Sequence, residues 1–68
     1  MKLMRLILIK DNLMSATRKV EAARDEIKAD GKMTIGLEGK FSDILTELSR
    51  LEKTVRSWEN DEFIVEHE

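Results

Sequence analysis

The 68-residue chain has no cysteine, no proline and no tyrosine, and its one histidine, His67, is the penultimate residue. Without cysteine there is neither a disulfide framework nor a thiolate metal site. Chains of this length bury too little surface for comfortable stability and usually add a disulfide, a metal or a second chain. Self-association is the route left open here. The missing cysteine also fits a cytoplasmic protein, which is the expected location.

Long apolar runs are missing as well. A membrane-spanning helix needs about 20 consecutive apolar residues, whereas the longest run is Leu6 to Ile9, bracketed by Arg5 and Lys10. Lys2 and Arg5 before that patch look like the start of a signal peptide. The patch is too short, however, and Asp11-Asn12 follow where a small-residue cleavage site belongs. The segment therefore reads as part of the fold, with no membrane partner.

Charge of one sign is also lacking. Twelve basic residues stand against 14 acidic ones, a net charge of −2. A nucleic-acid binder of this size normally carries a clear basic excess, so nucleic acid is not an expected partner. The imbalance lies at the two ends: Lys2, Arg5 and Lys10 at one, and Glu59, Asp61, Glu62, Glu66 and Glu68 at the other. A chain folded back on itself would bring these together.

What is present is a pair of apolar stripes in a 3-4-3-4 spacing, the 3.5-residue period of helices wound along a shared seam. The first runs Leu6, Ile9, Leu13, Ala16, Val20, Ala23, Ile27; the second runs Phe41, Ile44, Leu48, Leu51, Val55, Trp58. Between them Gly31-Lys32-Met33-Thr34-Ile35-Gly36 breaks the pattern. The fold class is therefore all-α, a single antiparallel helical hairpin over residues 1–68. Helix 1 is expected over about 12–30, the turn over 31–36 and helix 2 over about 38–60. Asp11 or Asn12 is placed to cap helix 1, Gly31 to take a left-handed C-terminal cap, and Thr34 to cap helix 2. Residues 2–10 continue the heptad in phase but are apolar on both faces. Glu62-Phe63-Ile64-Val65-Glu66 is rich in β-branched and aromatic residues and reads as a short strand. A β-α-α-β plan is the alternative to a helical N-terminus with an extended C-terminal segment.

Folding the chain at the turn sets Ile27 against Phe41, Ala23 against Ile44, Val20 against Leu48, Ala16 against Leu51, Leu13 against Val55 and Ile9 against Trp58. Small residues meet large ones in the middle layers, which lets helices approach closely. Two helices do not cover both sides of such a seam. A second copy would, giving a two-fold symmetric four-helix bundle. The expected homodimer contacts are Ile7, Leu8, Met14 and Leu45. The expected contacts to a different protein are Met33, Ile35, Trp58 and Phe63, because tryptophan in particular is enriched among interface anchors.

Chemistry is harder to find. No interior histidine, cysteine or tyrosine is available as a general acid, base or nucleophile. Gly36-Leu37-Glu38-Gly39-Lys40 has neither the spacing nor the preceding strand of a phosphate loop and reads as a turn. The acidic clusters lie off the seam with no histidine beside them, unlike the inward Glu-x-x-His sets of metal-binding bundles. No catalytic residue, cofactor or metal is expected. The two-helix plan resembles in outline the small helical-hairpin phosphatases of sporulation phosphorelays. Their hallmark Ser-Gln-Glu-Leu-Asp falls at Ser42-Asp43-Ile44-Leu45-Thr46, where the closing Asp is absent, so no activity is carried over. The expected function is a non-enzymatic regulator, inhibitor or adaptor that docks a protein partner by a helix face. The alternatives are a strand-helix-helix DNA-binding regulator and a purely structural oligomer.

Overall fold

The computed structural model describes the backbone of residues 2–66 and the side chains of residues 2–60. Two helices account for nearly all of it: α1, Leu3–Ala29, and α2, Ile35–Glu66. They pack against each other as a hairpin, a layer whose Cα extents are 55 × 16 × 10 Å. No strand occurs among the described residues.

Both helices are longer than the sequence pattern suggests, and magnitudes explain why at the N-terminus. Asp11 and Asn12 lie inside α1 and face solvent rather than capping it. In a helix interior they cost about 0.5 kcal/mol each in intrinsic propensity. Continuing the helix toward the N-terminus places Leu6 in full burial, which contributes roughly 1.5–3 kcal/mol. Burial outweighs the turn signal. The first turn of α1 opens at Lys2, which supplies no side-chain cap.

The strand expected at Glu62–Glu66 is instead the last part of α2. A lone strand leaves its backbone groups unpaired, and its only strand partner in the β-α-α-β plan, the N-terminal segment, is itself helical; a helix satisfies those groups internally. The same observation removes the N-terminal strand that the strand-helix-helix plan requires.

The connection between the helices follows the local rules at Gly31 and Thr34, whereas Gly36-Leu37-Glu38-Gly39-Lys40, expected as a turn, is helical and forms the start of α2. Gly31 takes φ +71°, a left-handed conformation that costs glycine least. The chain there closes α1 with two bonds: the Gly31 N–H donates to the Lys28 carbonyl at 3.0 Å, and the Lys32 N–H to the Ile27 carbonyl at 3.1 Å. This pattern is a glycine-based helix stop. At the start of α2 the Leu37 N–H donates to Thr34 Oγ1 at 3.1 Å, so Thr34 is the N-cap. Lys28 in the last turn of α1 and Glu38 in the first turn of α2 each complement their helix dipole. They also meet each other across the turn at 3.3 Å.

Side-chain bonds between the helices fix the register. Lys10 Nζ lies 2.7 Å from Glu59 Oε2, and the Thr17 hydroxyl lies 3.2 Å from Glu52 Oε1. One heptad up α1 is thus matched by one heptad down α2, within a residue or two of the pairing drawn from the stripes.

The seam is narrower than the stripes imply. Leu6 and Val55 are the buried core among the described residues, at 0% and 4% exposure. Around them Leu13, Val20, Ile27, Phe41 and Leu48 are half-buried along the contact line. Ile44, Leu51 and Trp58, expected in the seam, are instead exposed, at 48%, 50% and 45%. Leu45, Glu52 and Glu59 are half-buried on the other side of the line, opposite Arg24, Thr17 and Lys10. The reason is geometric. A helix pair makes one line of contact, and positions on either side of it are covered only if a further wall is present.

Candidate interaction surface

The cross-helix bonds divide the hairpin into two unlike faces. Lys10, Thr17 and Arg24 recur every seven residues along one edge of α1, and Glu38, Leu45, Glu52 and Glu59 recur likewise on α2. These two edges meet in the Lys10–Glu59 and Thr17–Glu52 pairs, so this face is polar. The opposite edges must then line the other face, because a seven-residue repeat keeps each series on one side of its helix. On α1 that series is Ile9, Ala16, Ala23; on α2 it is Leu37, Ile44, Leu51, Trp58. All four α2 members are exposed. The result is an apolar band along the hairpin, with small alanines on α1 beside larger side chains on α2.

The polar face has a groove of about 450 Å³ near the turn, lined in part by Arg24, Lys28, Glu38, Ser42 and Leu45. Its cations are engaged: Lys28 with Glu38, and Arg24 with Asp25 at 3.2 Å and with Glu21 at 4.0 Å. Among the described residues no three His, Asp or Glu side chains converge as a metal site. No buried polar side-chain atom there lacks a hydrogen-bond partner. No helix among the described residues is long and apolar enough to cross a membrane.

The residues expected to contact a second copy are dispersed. Ile7, Leu8 and Met14 are exposed on the first half of α1, where Met4 joins them. Leu45 is half-buried beside the seam, nearer the turn. Of the residues expected to contact another protein, Met33 is half-buried in the connection and Ile35, at 92% exposure, starts α2. Trp58 closes the apolar band toward the open end. Phe63 lies on α2, and its side chain falls outside the described residues.

Sequence reasoning placed Leu37 off the seam but missed Ile44 and Leu51 as surface residues. A signal for them existed: Phe41, Leu48, Val55 and Leu37, Ile44, Leu51, Trp58 form two heptad series on adjacent sides of one helix. A helix apolar over two adjacent series is built to face more than one neighbour.

The architecture places the chain in the general class of antiparallel helical hairpins. In comparison with protein-family models, curated proteins and solved structures, nothing matches it.

Proposed function

We propose that this chain is a non-enzymatic protein–protein interaction module of the cytoplasm, a small regulator, inhibitor or adaptor. It self-associates into a four-helix bundle and docks a protein partner by a helix face. One observation carries the reading: nine large apolar side chains are exposed while two are buried among the described residues. Single exposed apolar residues are ordinary, but a contiguous apolar band on a soluble chain marks an interaction surface. Docking of amphipathic helix faces is the mode that fits such a band, with anchors at helical spacing.

Affinity capture with the full chain, from lysate of the cells that encode it, tests the docking function. The turn end holds the exposed Ile35 and the half-buried Met33. A specifically captured protein should be lost with Ile35→Asp or Met33→Asp while the helical circular-dichroism signal is retained. No specific capture, or capture indifferent to these changes and to Trp58→Ala, would count against the reading.

A further inference from the structure

We infer that the apolar band Leu37–Ile44–Leu51–Trp58, with Ile9, Ala16 and Ala23, is covered by a second copy of this chain whose turn lies at the same end. The two-fold axis then runs along the helices, and each α1 lies beside the α2 of the other copy. The inference rests on the reading of the exposed apolar surface as a docking surface, and adds which face is used and in what orientation.

Size is the first support. The helical layer measures 55 × 16 Å between its outermost Cα atoms, an outline of about 900 Å², so a face is long enough to hold an interface of the standard size, roughly 800 Å² per partner. Shape is the second. Small Ala16 and Ala23 beside large Leu51 and Ile44 on each copy let the larger residues of the other pack over the alanines, in the small-against-large manner of packed bundles.

Charge selects the occupant and its orientation. Immediately outside the band, α1 carries Arg5, Asn12, Lys19 and Glu26, and α2 carries Lys40, Glu47 and Thr54, all of them exposed. In sequence the α2 series continues to Asp61. With the two-fold along the helices, each flank of α1 meets the α2 flank of the other copy at the same height. The hairpin register then sets Lys19 against Glu47, Glu26 against Lys40, and neutral Asn12 against neutral Thr54. Arg5 and Asp61 extend the series by position. Lys19, Glu26, Lys40 and Glu47 each meet an opposite charge, and the neutral pair coincides. Flanking charge of this kind sets partner choice and orientation in helical assemblies. The other two-fold arrangement, with α1 on α1 and turns at opposite ends, also matches Arg5 with Glu26 but sets Lys19 against Asn12 and Glu47 against Thr54, leaving these two charges without an opposite. Within one hairpin Glu47 bonds only locally, to Arg50 at 2.6 Å.

Two charge-converted chains test this. The basic one carries Glu26→Lys and Glu47→Lys; the acidic one carries Lys19→Glu and Lys40→Glu. Sedimentation equilibrium should show the wild type as a dimer at micromolar concentration. Each converted chain alone should associate at least about tenfold more weakly, from like charges at four contacts per dimer. An equimolar mixture should recover dimers, because all four contacts become complementary between the two chains. Circular dichroism checks that the converted chains remain helical, and Ile44→Glu with Leu51→Glu should give a helical monomer without altering the flanks. A monomeric wild type overturns the second copy as occupant, whether or not a different protein is captured through the turn end. A wild-type dimer whose converted chains show no preference for each other overturns the orientation. A dimer unaffected by Ile44→Glu and Leu51→Glu overturns the face.

Discussion

Lys10 and Glu59 stand 49 residues apart in the chain, and the Lys10 ammonium donates to a Glu59 carboxylate oxygen at 2.7 Å. Both side chains are about three-quarters covered, so the pair is less screened than a surface ion pair. It joins the basic N-terminal segment to the acidic C-terminal one and holds the open end of the hairpin in register. A double-mutant cycle with Lys10→Ala and Glu59→Ala should give a coupling of about 0.5–1 kcal/mol, shrinking in high salt. Denaturant titration measures it, and a coupling near zero at low salt would mean that the open end is held by apolar packing alone.

The buried core is small enough for a single truncation to reveal it. Leu6 is fully enclosed, and Leu6→Ala should lower the unfolding free energy by about 2–4 kcal/mol. Arg50→Ala, on an exposed helix face, should stay within about 0.5 kcal/mol. Equal effects in chemical denaturation would show that α1 is not seated on α2 through its N-terminal half.

The glycines should respond in opposite directions. Gly31 holds φ +71°, so Gly31→Ala should destabilise by about 1 kcal/mol. Gly36 and Gly39 lie inside α2, and a methyl group added at either meets nothing within 4 Å. Replacing either by Ala should therefore stabilise by about 0.5–1 kcal/mol through helix propensity. Thermal unfolding of the three variants checks the signs. A gain at Gly31 would contradict the turn geometry.

A structural oligomer and a discrete interaction module separate by size. In the bundle described above the apolar bands face inward and close the assembly, so static light scattering should give two chains per particle across a wide concentration range. Mass rising steadily with concentration would instead indicate open, head-to-tail association.

How much of this was legible in the residues varies along the chain. Gly31 and Thr34 act through local backbone bonds, and their roles as helix stop and helix cap follow from their identity alone. The antiparallel register follows from the stripes because Leu13, Val20, Leu48 and Val55 can be buried in only one phase. The ends were less legible. Asp11-Asn12 and the β-branched run at Ile64-Val65 carry local signals against helix, but α1 and α2 continue through them. At α1 the burial of Leu6 outweighs the local preference; at α2 the strand would have had no partner. The position of Ile44, Leu51 and Trp58 was hidden for a different reason. Periodicity says which residues share a side of a helix but not how many neighbours that helix has, and these three point to the side where a lone hairpin has none.

Trp58 offers the most direct test of whether that side is covered in solution. It is the single tryptophan, half-exposed in the hairpin and set at the end of the apolar band. Its fluorescence should be followed from nanomolar to high micromolar concentration, with acrylamide quenching at each step. The expected result is a blue shift and a loss of quenching as the chain concentration rises, both abolished by Ile44→Glu with Leu51→Glu. Emission and quenching that stay at their dilute values throughout would contradict coverage of the band by a second copy.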